Sequence, residues 1–222
     1  MTLRNALEAV YTAFAEMPRP EYIQHEPYEL EPGEVRQLLT FPLRELSPEL
    51  MRSYKFESVY NVGTWDDFRY FLPRLLETLT LSPDDPDHWE QLEDIASRLR
   101  FAREKGYSLT SVQAQSLYSY ALAWWEAFLE APPYILPAPM ILDWGTLQTF
   151  GPTRAELLKL WREHPRGAQH LAYALVCNAH AGLPPEWPKA EAVTWLEAAF
   201  FANPDGEAAQ TLSNALLSLQ QE

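Results

Sequence analysis

Residues 110–130 read TSVQAQSLYSYALAWWEAFLE, and their apolar side chains recur three or four positions apart. That spacing places the apolar residues on one face of a helix. The same periodicity recurs along most of the chain, and no convincing alternation of apolar and polar residues indicates a strand. We therefore predict an all-α fold of antiparallel helical hairpins. In this stretch the residues predicted to face the core are Ala114, Leu117, Tyr118, Ala121, Trp125 and Phe128.

Proline, glycine and capping residues mark where the other helices begin and end. Residues 18–32 are rich in Pro, Tyr and Glu and are predicted to form an extended loop. Ser47 followed by proline is a typical helix start, and Gly63 is the predicted end of that helix. A later helix is predicted to begin after the acidic segment DDPD at residues 84–87 and to end at Gly106.

Residues 64–79 predict a helix that carries a proline within its apolar face. Thr64, with Asp67 three residues later, resembles a capping box. The apolar stripe then includes Pro73, which cannot donate a backbone hydrogen bond to the carbonyl of Arg69. We predict a kink between Arg69 and Leu75, or one short turn followed by a separate helix.

A proline-rich stretch, PPYILPAP at residues 132–139, interrupts the helical pattern. It separates a predicted N-terminal helical region at residues 1–131 from predicted C-terminal helical hairpins at residues 143–222. We interpret residues 132–142 as a connection within one continuous helical domain.

The C-terminal region contains a predicted internal repeat. The motifs HPRG at residues 164–167 and NPDG at residues 203–206 each lie between two helical patterns. At the offset that aligns the two prolines, Trp161 matches Phe200. Two such units indicate stacking of the tetratricopeptide or HEAT kind. The alternative is a chance similarity between two helical hairpins.

The segment VGTWDDFRYFLPRLLE at residues 62–77 resembles the signature of a family of uncharacterised bacterial helical proteins. Members of that family also have a later helix rich in Trp and Ala, here YALAWWEAFL at residues 120–129. The resemblance covers roughly the middle third of the chain. It implies a bacterial, cytoplasmic, helical protein and no particular activity.

The net charge of the chain is −14, from 17 Lys and Arg against 31 Asp and Glu. A surface this negative repels phosphate, so nucleic-acid binding would need a concentrated basic patch. The densest basic group, at residues 98–103, is interleaved with apolar residues. We therefore expect no nucleic-acid partner, and we expect a basic surface on any protein partner.

Cys177 is the only cysteine, which excludes an internal disulfide and every multi-cysteine metal motif. This usage fits a reducing cytoplasm. The first residues lack the apolar stretch of a signal peptide, and nowhere do eighteen apolar residues run together. We expect a cytoplasmic protein without a membrane partner.

His170, Cys177 and His180 are the candidate metal ligands, because positions i, i+7 and i+10 fall on one side of a helix. The spacing matches no standard zinc module, however, and no fourth ligand is apparent. A cysteine between apolar neighbours is more often a core residue. We therefore predict no bound metal and no other cofactor. His170, Cys177 and His180 are the residues to test first for metal binding.

Three carboxylates, Glu90, Glu93 and Asp94, lie near each other on one helical face, and Asp85 precedes His88 by three residues. A di-iron site would need Glu-x-x-His on two helices and two further glutamates, which the chain does not provide. We interpret these carboxylates as a solvated acidic face and as helix N-terminal charge.

The chain has no Gly-x-Ser-x-Gly elbow, glycine-rich phosphate loop or Cys-His signature, so no catalytic residue is predicted. We favour a non-enzymatic protein-interaction module with a stacked-helix acidic surface. The alternative is an enzyme or metal-dependent protein whose site is assembled between helices. Five polar residues of the 62–77 segment are candidate interaction residues, although helix capping and mutual pairing are the favoured interpretation of their role: Asp66, Asp67, Arg69, Tyr70 and Arg74.

Overall fold

A computed structural model describes residues 1–26, 28–79, 88–133, 144–177, 183 and 185–221. These ranges hold eleven α-helices and no strand, which confirms the predicted all-α class. No helix in them is long and apolar enough to cross a membrane. The helices are α1 (Leu3–Ala13), α2 (Pro32–Thr40), α3 (Pro48–Glu57), α4 (Trp65–Thr78), α5 (His88–Glu104), α6 (Ser111–Glu130), α7 (Trp144–Thr149), α8 (Arg154–Glu163), α9 (Gly167–Cys177), α10 (Lys189–Ala202) and α11 (Ala209–Gln221).

The chain forms two compact units. Unit 1 comprises Met1–Trp124 and Thr146–Pro152, and unit 2 comprises Trp125–Gly145 and Thr153–Glu222. Most of the predicted proline-rich connection, from residue 134 onward, lies outside the described residues. The predicted division at residues 132–142 therefore stays a prediction.

The start of α3 is as predicted, because the Ser47 hydroxyl accepts a hydrogen bond from the Leu50 backbone at 3.2 Å. Its predicted end at Gly63 is wrong. The helix ends at Glu57 with Ser58 as its C-cap, and the chain then turns through Val59, which has a φ of 70°. Gly63 has a φ of 68° and donates its backbone N–H to the carbonyl of Gln24 at 2.7 Å. Its left-handed backbone therefore serves a loop contact and not a helix cap.

Helix α4 begins with the predicted capping box and continues through Pro73. The Thr64 backbone donates to the Asp67 carboxylate at 2.6 Å, and the Asp67 backbone donates to the Thr64 hydroxyl at 3.2 Å. The alternative of two separate helices is wrong, because the packing of α4 against α1, α3 and α5 outweighs the one backbone bond that Pro73 removes. A bend near Arg69 stays a prediction.

The core of unit 1 is built on the buried face of α4. Tyr54 of α3 packs against Phe71 with ring centroids 4.7 Å apart. In α6 the predicted core face is wrong at Ala114, which is exposed. Gln113 is buried in its place, because its side chain and Thr110 form reciprocal hydrogen bonds at the helix start.

Unit 2 contains two helical hairpins, α8–α9 and α10–α11, and α9 packs against α8, α10 and α11. The arrangement is consistent with stacked hairpins, and a longer repeat array stays a prediction. An aromatic cluster fills this unit, with neighbouring ring centroids between 4.7 and 5.8 Å apart. Its members are Trp125, Phe128, Trp144, Trp161, Trp187 and Trp195.

Candidate functional site

The two motifs of the predicted repeat form turns with the same backbone hydrogen bonds. In the first, the His164 N–H donates to Trp161 at 3.3 Å and the Gly167 N–H donates to His164 at 2.9 Å. In the second, Asn203 donates to the carbonyl three residues before it at 3.2 Å, and Gly206 donates to Asn203 at 3.1 Å. The two turns therefore share this local hydrogen-bond pattern, although α9 begins at Gly167 itself and α11 begins three residues after Gly206.

A cleft of about 390 Å³ lies in unit 2 between α9 and the α10–α11 hairpin. Both repeat turns contribute to it, since Arg166 comes from the first and Asn203 from the second. We call it the hairpin cleft. It is lined by Pro132, Pro133, Arg166, Gln169, Tyr173, Ala199, Asn203, Gly206, Glu207, Ala208, Thr211 and Leu212.

Three polar side chains of the hairpin cleft, those of Gln169, Asn203 and Thr211, have no hydrogen-bond partner among the residues that the structure describes. A carboxamide carries two donor hydrogens and an acceptor oxygen, and a hydroxyl carries one donor hydrogen and accepts as well. Asn203 is exposed and Gln169 and Thr211 are half-buried, so a ligand in the cleft can reach all three groups. The Asn203 carboxamide lies directly against Gly206, where an added Cβ would stand 2.3 Å from Nδ2.

Arg166 is anchored at one edge of the hairpin cleft. Its Nη1 donates to the carbonyl of Glu130 at 2.8 Å, and its backbone N–H donates to His164 Nδ1 at 3.2 Å. The opposite charge in the cleft lining is that of Glu207. With one cation and one anion, the lining carries no net charge.

His170 is fully buried and caps the end of α6. Its Nε2 lies 3.0 Å from the carbonyl oxygens of both Leu129 and Ala131, so the neutral ring donates to the end of that helix. Burial, helped by nearby His164 and Arg166, lowers the pKa of His170 to about 4. This histidine has a structural role that the sequence pattern did not indicate.

The structure does not bring His170 and Cys177 together as metal ligands. Seven helical residues span about 10.5 Å along the axis, which is too far for a common ion, and Cys177 is exposed. The pKa of the Tyr173 hydroxyl is raised, mainly by burial and to a smaller extent by a hydrogen bond with Cys177. Among the described residues no three His, Cys, Asp or Glu side chains are grouped to hold a metal ion. His180 lies outside those residues.

Two acidic residues of α5, Glu93 and Asp94, have partners within the fold. Asp94 forms a 2.9 Å ion pair with Lys55, which is buried in α3. Glu93 pairs with Arg100 and accepts a hydrogen bond from Thr146. Both carboxylates are therefore paired within the fold and still partly exposed, since their side chains keep 33% and 37% exposure for Asp94 and Glu93. That they form a solvated acidic face stays a prediction.

The remaining residues of that predicted group are Glu90, Asp85 and His88. Glu90 is exposed. Asp85 and the side chain of His88 lie outside the described residues.

At the start of the 62–77 segment, Asp66 forms an ion pair with Arg69, and Asp67 caps the helix through Thr64. Asp66 and Arg69 also line an open concavity of about 570 Å³ in unit 1, next to the stacked rings of Trp65 and Tyr107. These contacts are the helix capping and mutual pairing that the sequence analysis favoured for these residues. Their role in an interaction stays a prediction.

Farther along the segment, Tyr70 accepts a hydrogen bond from Arg19 Nε at 3.1 Å. Arg74 donates twice to the carbonyl of Leu46, at 2.9 and 2.6 Å, and once to Glu77 at 2.6 Å. Arg74 therefore ties α4 to the short turn before α3, and its guanidinium is largely occupied within the fold.

Sequence reasoning missed the polar lining of the hairpin cleft. Arg166 and Asn203 belong to the two repeat motifs, so aligning those motifs could have indicated where the two turns lie. For Gln169 and Thr211 no sequence signal exists, because an unpaired polar group is defined only by its neighbours in space.

Comparisons of the chain with protein-family models, curated proteins and solved structures return no match.

Proposed function

We propose that this chain is a non-enzymatic protein-interaction module and that its partner binds to unit 2. The observation that carries the proposal is the hairpin cleft, where Gln169, Asn203 and Thr211 have no partner within the described structure. A concave site with a few convergent polar groups is typical of a binding site. If the hairpins stack in the proposed tetratricopeptide- or HEAT-like array, the hairpin cleft would lie on the concave surface of that array.

An exposed aromatic residue on the same hairpin supports the proposal. Phe201 of α10 is 73 % exposed. Aromatic residues are enriched in protein interfaces, where their large area contributes much of the binding energy. A partner seated on the α10–α11 hairpin would cover this ring.

The charge of the chain supports a partner with a basic surface. A net charge of −14 attracts a basic protein over long range and repels nucleic acid. We further propose that the protein acts in the cytoplasm of a bacterium. The single cysteine and the resemblance of residues 62–77 to a bacterial family support this.

Site-specific photocrosslinking tests the proposed function. Tyr173, in the hairpin cleft, is replaced by p-benzoylphenylalanine, and Tyr22, an exposed residue of unit 1, receives the same replacement as a control. Illumination in a lysate of the source organism should give a discrete protein adduct from position 173 only. The adduct partner, once purified, should bind the unmodified chain. An adduct at neither position, or a purified partner that does not bind, would contradict the proposal.

A further inference from the structure

The hairpin cleft has the size and chemistry to bind a short piece of polypeptide. Its volume of about 390 Å³ falls within the range of small ligand sites, about 300–1,000 Å³. Gln169 and Asn203 lie in its lining, one on α9 and the other at the end of α10. An occupant can therefore reach polar groups from both hairpins.

The unpaired groups match the main chain of an extended segment. Each residue of an extended chain offers one N–H donor and one carbonyl acceptor that need partners. The carboxamides of Gln169 and Asn203 can each accept from one such group and donate to another, and the Thr211 hydroxyl adds a further site. A buried main chain is costly to leave without partners, so these side chains would supply what the occupant needs.

The rest of the lining indicates the side chains that the segment carries. Ala199, Ala208 and Leu212 provide an apolar surface, and Leu212 is buried. The charges of Arg166 and Glu207 are opposite in sign, so the lining selects neither an anion nor a cation. An uncharged segment with an apolar side chain is therefore the best match.

We infer that the hairpin cleft binds an extended, uncharged peptide segment of a partner protein through hydrogen bonds from Gln169 and Asn203 to the segment's main chain. This inference rests on the proposed function and names the part of the partner that is bound. The acidic surface would attract the partner from a distance, while the cleft would hold the segment by short-range contacts.

Gly206 provides a variant that moves Asn203 without changing it. An alanine Cβ at position 206 would stand 2.3 Å from Asn203 Nδ2 and 2.6 Å from its Cγ. The clash falls on the end of a flexible side chain, so Gly206→Ala should displace the carboxamide while the fold is kept. A loss of binding in this variant would report the position of Asn203 and not its chemical identity.

The test uses a displayed library of random linear nine-residue peptides, selected on the full chain. The selected sequences are synthesised, and their Kd values are measured by fluorescence anisotropy. Gln169→Ala, Asn203→Ala and Gly206→Ala should each weaken binding about 5- to 20-fold, the effect of losing one or two hydrogen bonds. Gln210→Ala is the matched control, since Gln210 lies outside the cleft and bonds to Asn214 at 2.9 Å. It should leave the Kd unchanged.

Two further measurements sharpen the result. Methylation of one main-chain nitrogen in the selected peptide should weaken binding as much as Asn203→Ala does, and circular dichroism should show that every variant is folded. The inference is overturned if no peptide is selected, if the selected peptides bind all variants equally, or if they are charged and lose binding in high salt. A crosslinked partner that binds regardless of the three cleft substitutions would overturn this inference and leave the proposed function standing.

Discussion

The indole nitrogen of Trp161 donates a 2.8 Å hydrogen bond to the carbonyl of Gly167, six residues later. Only a residue without a side chain can approach Trp161 this closely, because a Cβ at position 167 would stand 2.1 Å from the Trp161 carbonyl oxygen. It would also stand 2.9 Å from the ring of Trp195. The turn before α9 is therefore closed tightly onto the aromatic cluster of unit 2.

Replacement of the two repeat glycines by alanine should destabilise the fold to different degrees. Gly167→Ala should lower the free energy of unfolding by about 2–3 kcal/mol, because the new methyl group meets backbone and a packed ring. Gly206→Ala should cost less than about 1 kcal/mol, since it meets only the end of Asn203. Urea unfolding followed by tryptophan fluorescence measures both. Equal losses would show that the two turns are not packed as described.

The stability of the fold should fall in mild acid because of His170. Burial lowers its pKa to about 4, below the ordinary value of 6.5. The unfolded chain therefore binds a proton on this histidine below pH 6.5, whereas the folded chain does not until about pH 4. The contribution of His170 is complete above pH 6.5 and should decrease by about 2 kcal/mol by pH 5.

His170→Gln is the control for that pH dependence, because its carboxamide can still donate to the end of α6 but does not titrate. The difference in unfolding free energy between wild type and variant should shrink or reverse from pH 7.5 to pH 5. A constant difference would show that His170 titrates normally in the folded chain.

Mutating the two partners of the ion pair between buried Lys55 and partly exposed Asp94 should cost different amounts of stability. Asp94→Asn leaves the buried ammonium without its countercharge, and burial already lowers the pKa of Lys55. We expect a loss of about 1–3 kcal/mol in unfolding free energy, less than for a fully buried pair because Asp94 is one-third exposed. Lys55→Met removes the buried charge and should cost less. A larger loss for Lys55→Met in thermal unfolding would contradict this account.

Local signals predicted much of the fold and little of the site. The starts of α3 and α4 were predictable because Ser47 and Thr64 cap them through side chains close in sequence. Helix α2 was not among the predicted helices, since its N-cap is Glu31 and not a typical capping residue. The contacts of His170 depend on residues about forty positions away, and no local pattern encodes them.

Association with a basic partner should depend strongly on salt. Exposed charges are screened beyond about 8 Å at physiological ionic strength, so long-range attraction weakens as salt is added. The association rate should fall by about an order of magnitude or more between low and high ionic strength, while the dissociation rate changes less. Stopped-flow or surface-binding kinetics measure both rates. A salt-independent association rate would mean that the acidic surface does not steer the partner.

Amide hydrogen exchange of the chain, alone and saturated with its purified crosslinked partner, tests the central claim most directly. Binding in the hairpin cleft should slow exchange in α9 and in residues 199–212, which carry most of the cleft lining. The N-terminal turn of α4, with Asp66 and Arg69, should exchange at the same rate in both states. Protection confined to unit 1, or no change in α9 and residues 199–212, would contradict the account.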